Sequence, residues 1–357
     1  MRLLECLVTA AITLALAAGL FSLVQPAHGM TAVQPEIGDM QQRIRVAAAA
    51  LSGSLVMAGA GLDRGPAGGS LGRYFAPIFP YRAGRFEADP PNGIRYRSDA
   101  ITILHVPKTA AQSRLRDRVV TGATTLTVDA WPGCPVGDPA CGFSAGMTVL
   151  VFDETSAWDA FEVTGVEGAT LQVEHLGPVG SHSYEPGAAI AEAIWHTYYL
   201  DDGADQLRHY DGDETDVPVV DNVVGLRFTY FGAAAPPSLP TPPAGVENCV
   251  VDSSGASKLP VLSSAGASLA ELSPETLSDG GVGAIPWCGT SDHQFDPDLL
   301  RIRKVRITVR VQAGTETLRG PDAALFRNPG RARRRDRLLP DIEATIDVTP
   351  RNLALEG

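Results

Sequence analysis

The chain lacks most of the patterns that mark an enzyme. It has no C-x-x-C pair and no His at zinc spacing, which argues against a metal. It has no phosphate-cradling G-x-x-x-x-G-K-[ST] loop and no dinucleotide fingerprint, so nucleotide chemistry would have to sit in another protein. His175, His182, His196 and His209 follow no regular spacing, and no Ser is expected to lie in a G-x-S-x-G elbow. No catalytic residue, cofactor or metal is therefore expected. Aromatics are scarce at 6%, while Gly (37) and Pro (27) are plentiful, a composition suited to short strands and many turns. Basic residues are the minority charge: 29 Lys and Arg against 41 Asp and Glu give a formal net charge of −12. That balance disfavours nucleic acid and anionic membrane surfaces as bulk partners.

Against this stands one long apolar run. Residues 3–24 read LLECLVTAAITLALAAGLFSLV, with Glu5 as the lone charge. As a helix rising about 1.5 Å per residue, the run would extend about 33 Å and span a bilayer core of about 30 Å. An ionised Glu there would cost on the order of 2.5–3.5 kcal/mol, so Glu5 calls for a cationic partner or a proton. A cleavable signal peptide fits the same run, with Arg2 as its charged start and Ala27-His28-Gly29 as its cleavage site. The next stretch of chain favours a helix. Ile37, Met40, Ile44, Ala47, Ala48, Leu51 and Leu55 recur at spacings of three and four, forming an amphipathic stripe. Pro26 and Pro35 are expected as kinks, and Gly59 and Gly61 as the end.

At these residues the chain resembles a known family. The start LLExLV, with Glu at position five, is similar to the class III prepilin signature of type IV pilins and type II secretion pseudopilins. DMQQRIRVAAAALSGSLVMAGAGL (39–62) resembles the matching stretch of PilW-like minor pilins and J-type pseudopilins. The likeness extends to YYLDDGADQLRHYDG (198–212), PVVDNVVGLRFTYFG (218–232) and VTPRNL (348–353). In that family a basic leader ending in Gly precedes the first mature residue, and Met1 stands in that residue's place here. The resemblance implies an assembly role in which Glu5 pairs with the N-terminal amine of a neighbour, the group Met1 carries. It implies partners: other pilins, met through the N-terminal helix, and an inner-membrane assembly platform, with the membrane occupied before assembly.

Five Cys divide informatively. Cys6 lies in the apolar run, Cys134 and Cys141 flank a tight PVGDPA loop, and Cys249 and Cys288 flank a Ser- and Gly-rich stretch. Four Cys in turn-rich exported sequence read as two disulfides. Three pairings are possible; neighbours are preferred, because the loops between them are polar and otherwise unanchored. Arg2 precedes the apolar run and Arg43 is the next basic residue, so the expected orientation is a cytoplasmic N-terminus with a periplasmic body, later at a filament or the cell surface.

The rest reads as strands: 98–106, 124–129, 147–152, 160–166, 170–175, 188–200, 206–210, 226–231, 299–312 and 343–348. Residues 217–225 are expected as a short helix or turn, and 63–97 as an irregular wrap. The class expected is α+β: a long N-terminal helix (1–62, membrane-spanning at 3–24) on a mostly antiparallel, pilin-like β domain (63–357). That domain would carry an inserted β-module at about 120–180 and an irregular excursion at about 233–293. Asp201, Asp202, Asp205, Asp211, Asp213, Glu214 and Asp216 cluster around one hairpin; a calcium site and a solvated turn both fit, though no EF-hand spacing is present. RARRRDR (331–337) reads as a solvated basic loop. The function expected is a structural minor pilin or pseudopilin that joins or primes assembly of a type IV pilus or secretion pseudopilus. The alternative is a membrane-anchored periplasmic binding protein or hydrolase.

Overall fold

A computed structural model describes residues 2–63, 68–85, 89, 96–109, 111–176, 182–237, 247–262, 269–277, 287–289, 293–332 and 338–354; the side chains at 2–5 and 21–32 lie outside the description. Helix α1 runs from Arg2 to Met57 and passes through Pro26 and Pro35 without a break, contrary to the expected kinks. It ends just before the expected glycines. Gly59 takes φ +74°, the left-handed value that suits a residue just past a helix C-terminus. Its N–H then donates to Leu104 O at 3.0 Å.

Three antiparallel sheets carry the architecture. The first, in the order β1 (Ile78–Phe79), β2 (Ala100–His105), β9 (Ile194–Asp201), β10 (Gln206–Tyr210) and β11 (Asp216–Asp221), lies under the second half of α1. The second is assembled entirely from the chain between β2 and β9, in the order β3 (Gln112–Arg114), β8 (Ala189–Glu192), β5 (Thr148–Phe152), β6 (Trp158–Glu167), β7 (Thr170–His175) and β4 (Thr125–Thr127). It therefore starts before the expected module and ends after it. The third orders β13 (Leu269–Leu272), β12 (Val223–Ala233), β14 (Ile302–Val311) and β15 (Ile342–Val348). A short helix α2 (Arg351–Ala354) closes the described chain and seats Leu353 in the core.

The alternation read from sequence fixes the inner faces. Along β14, Val305, Ile307, Val309 and Val311 are buried, while Lys304, Arg306, Thr308 and Arg310 face outward. Residues 299–301, read as the start of this strand, belong instead to a 3-10 turn over Pro297–Arg301, with Asp296 capping it. Residues 217–225 are β-structure, not a helix: Val220 pairs with Leu207, and Val223 opens β12. Two cores result. The large one joins α1 to all three sheets; the smaller one fills the outer side of the second sheet with Leu126, Val149, Val151, Phe161, Leu171 and Ile190 among others.

The whole is mostly antiparallel sheet, and this corrects the expected class of an α+β, pilin-like fold with a transmembrane-then-amphipathic helix. Among the described residues, no helix is long and apolar enough to cross a membrane. The expected single-pass placement in the inner membrane, with a periplasmic body, falls with the span.

Candidate functional site

Helix α1 has two different surroundings along its length. From Glu36 onward it is bound into the body. Glu36 Oε1 accepts from Arg43 Nη1 at 3.1 Å and from Gly314 N at 2.7 Å, tying the helix to the loop after β14. Met40, Ala47, Leu51 and Leu55 are fully buried, one helical stripe facing the core. Ser54 Oγ and Tyr198 Oη share a hydrogen bond of 3.0 Å. Asn352 Nδ2 reaches the carbonyls of Met57 and Ala58, each at 3.4 Å.

Residues 6–20 are the opposite case. Every side chain there is exposed, and Leu7, Val8, Ile12, Leu14, Leu16 and Leu20 each leave between 51% and 71% of their surface open. Polar groups on this stretch are satisfied inside the helix: Thr9 Oγ1 donates to Cys6 O at 3.0 Å, and Cys6 is an exposed free thiol. An apolar surface of this extent marks a place where something else binds. The expected partners Met1 and Glu5 lie outside the described side chains.

Both disulfides form as expected. Cys134–Cys141 closes a seven-residue separation at the rim of the second sheet, and Cys249–Cys288 closes thirty-nine residues of the excursion. Much of 233–293 lies outside the described residues, as do 333–337 of the basic loop. Where the excursion returns, Phe295 pairs with Cys288 and is buried.

The other sequence candidates resolve into turn chemistry. Asp201 Oδ1 accepts from the amides of Gly203 and Ala204, and Asp211 Oδ1 from those of Asp213 and Thr215, each at 3.0–3.2 Å. Asp205 Oδ2 accepts from Gln312 and Asn328, and Asp216 Oδ1 from Arg208 Nε. Among the described residues no group of three His, Cys, Asp or Glu could hold a metal ion. Two pentapeptides do have G-x-S-x-G spacing, contrary to expectation: residues 68–72 around Ser70 and 142–146 around Ser144. Neither is a nucleophile elbow. Ser70 Oγ caps a 3-10 turn by accepting from Gly72 N, and Ser144 is an exposed turn residue beyond the first disulfide. A cleft of about 710 Å³ opens where α1 ends, lined by Met57, Leu62, Asp63, Ser70, Arg73 and Lys108 among others.

Two polar groupings, one buried and one half-buried, escaped the sequence. In the first, Tyr184 Oη donates to Asp159 Oδ2 at 2.9 Å, and the other carboxylate oxygen faces His293 Nε2 at 3.6 Å. Burial pushes Asp159 up to about 6 and His293 down to about 4. The second is a row of three histidines, His105, His196 and His209, from three neighbouring strands of the first sheet. No spacing rule could have linked residues so far apart in the chain; their register could.

The chain matches no family model and no curated protein. Among solved structures it is similar, over 26% of its own length and 15% of the other chain, to the Gp54 tailspike of Acinetobacter baumannii bacteriophage AP22 in complex with A. baumannii capsular saccharide. The identity is 11% and the TM-score 0.18, too low to carry an argument about fold or function.

Proposed function

We propose that this protein is a structural subunit, of the minor pilin or pseudopilin kind, that joins or primes assembly of a type IV pilus or a type II secretion pseudopilus. One observation carries the reading: α1 is locked into the body along residues 36–57 and leaves its apolar residues 6–20 uncovered. A helix so divided serves as a handle. Its backbone is self-satisfied, and its exposed Leu, Ile and Val side chains lose contact with water when packed among helices of the same kind, at about 25 cal/mol per Å² buried. The partners are other subunits bearing such helices. The LLExLV start, with Glu5 opposite a neighbour's N-terminal amine, is the sequence feature that names the class. Turnover has no part in this reading, which the capped Ser70 and the turn position of Ser144 support.

The test uses the full chain expressed in cells that make the filament. Leu14→Asp, Leu16→Asp and Glu5→Ala should each lower the amount of protein recovered with sheared filaments, while leaving the thermal unfolding of the body unchanged. Wild-type recovery for all three would overturn the reading.

A further inference from the structure

The histidine row lies on the sheet face that receives α1. His105 on β2 pairs with Ile194, His196 on β9 pairs with Ile103, and His209 on β10 pairs with Tyr198. Residues two apart on a strand share a face. His105 and His209 therefore flank His196 diagonally, on the same face as Tyr198. His196 Nδ1 and His209 Nε2 are 2.8 Å apart, so one proton is shared between two rings. The ring of His105 stacks on that of His196 with centroids 5.6 Å apart, and Tyr198 lies 4.9 Å from His209. Tyr198 is the residue that Ser54 of α1 holds by hydrogen bond. At the other end of the row, Gly59 N donates to Leu104 O, and Val106 N donates to Ala60 O, on either side of His105.

We propose that this row is an acid-sensitive latch between the C-terminal turns of α1 and the first sheet: neutral imidazoles hold the docked state, and their protonation loosens residues 50–60.

The surroundings offer little to stabilise positive charge. From Val46 to Met57 α1 presents no charged residue. Tyr198, the titratable neighbour on β9, is pushed up by burial and stays neutral. Asp211 and Asp216, at the β10–β11 turn, act on His209 alone, and Asp216 is already held by Arg208 and Tyr199. His105 has burial as the cause of its lowered value, and no carboxylate among the described residues offsets it. Burial, then the neighbouring rings of His209 and His105, hold His196 down to about 4. A group lowered on folding favours the folded state above its unfolded value, about 6.5, and loses that contribution as pH falls from there toward about 4. The window is thus mildly acidic.

Amide exchange on the full chain, compared at pH 7.5 and pH 5 after correction for the intrinsic rate, tests the latch. Amides of residues 50–60 should open at least about tenfold more at pH 5 in the wild type. In His196→Leu the acid effect should shrink by at least about threefold, because the central ring can no longer charge and only His105 and His209 still respond. An equal acid effect in the variant, or acceleration spread evenly over the whole chain, would overturn the proposal. If His196→Leu does not fold, the imidazole titrations of the wild type decide: a midpoint for His196 at or above the ordinary value would equally sink it.

Discussion

Arg301 and Asp298 form an ion pair from which water is wholly excluded, both side chains being at most 1% exposed. The guanidinium also donates to Ala234 O at 3.1 Å, Ala235 O at 2.9 Å and Pro260 O at 2.6 Å. One side chain thereby clamps the outgoing strand β12 to the excursion. Arg301→Met leaves Asp298 without its counter-charge in a dry site. Removing one partner of a buried pair costs about 3–5 kcal/mol. Urea unfolding of the variant should show a loss of that size, with Asp298→Asn-Arg301→Met losing less than the sum of the two single changes. Additive losses would mean that the pair is not coupled.

The two disulfides should differ in weight. In the chain-entropy treatment, a bridge across thirty-nine residues stabilises by roughly 4 kcal/mol and one across seven by about 2.5 kcal/mol. Cys249→Ser-Cys288→Ser should therefore lower the midpoint of denaturation more than Cys134→Ser-Cys141→Ser. Non-reducing peptide mapping checks the pairing itself, and a Cys134–Cys249 peptide would refute it.

Helix α1 offers a direct comparison of one residue type in two settings. Leu51 is fully buried and Leu14 is 71% exposed. Leu51→Ala should destabilise by about 2–5 kcal/mol through loss of contacts and the void left behind. Leu14→Ala should stay within about 0.5 kcal/mol. Removal of residues 1–28 should likewise leave the unfolding temperature of the body intact, whereas removal of residues 1–58 should lower it sharply. Equal stability of the two truncations would show that the second half of α1 contributes nothing to the core.

His182 should respond to acid with the opposite sign to the histidine row. Its Nε2 lies 2.8 Å from Asp153 Oδ2, and that hydrogen bond raises its affinity for the proton. A raised value means stability that is present below about 6.5 and fades as pH climbs through the folded value. His182→Gln should cost more at pH 5 than at pH 9. Chemical denaturation at the two pH values decides it; a cost that does not depend on pH would mean the pair is held by a neutral imidazole.

Local pattern was legible in this chain, and long-range pairing was not. The stripe Ile37, Met40, Ile44, Ala47, Leu51 and Leu55 names the buried face of α1, because a helix repeats every 3.6 residues whatever it packs against. Alternation in β14 names its inner face for the same reason. Cys134–Cys141 and Cys249–Cys288 followed from polar loops that needed anchoring. The strand run at 188–200 was harder, since it splits at Ala193: β8 joins the second sheet and β9 the first. Nothing in the composition of that run marks a change of partner. Residues 217–225 misled because Pro218, Asp221, Asn222 and Gly225 suggest a turn. Val220 on β11 and Val223 on β12 are nevertheless buried, and pairing with β10 and β14 decided the outcome. The apolar run at the N-terminus suggests a membrane because composition alone cannot tell lipid from other helices as the surrounding medium.

β2 and β9 are direct neighbours, with His105 opposite Ile194, although the chain between them builds an entire sheet. Topologically they are two arms of one hairpin whose tip has grown into a module. Such tips are natural places for lineages to exchange whole pieces, since the ends that must be rejoined lie side by side. Here the exchange would be constrained on one side only. Val149, Val151 and Phe161 close a private interior, free to vary as a set, whereas Leu150, Phe152 and Trp158 on the other face belong to the main core, where Phe152 and Trp158 meet the rings of Phe75 and Phe79. A replacement cassette would have to bring its own apolar underside of matching shape.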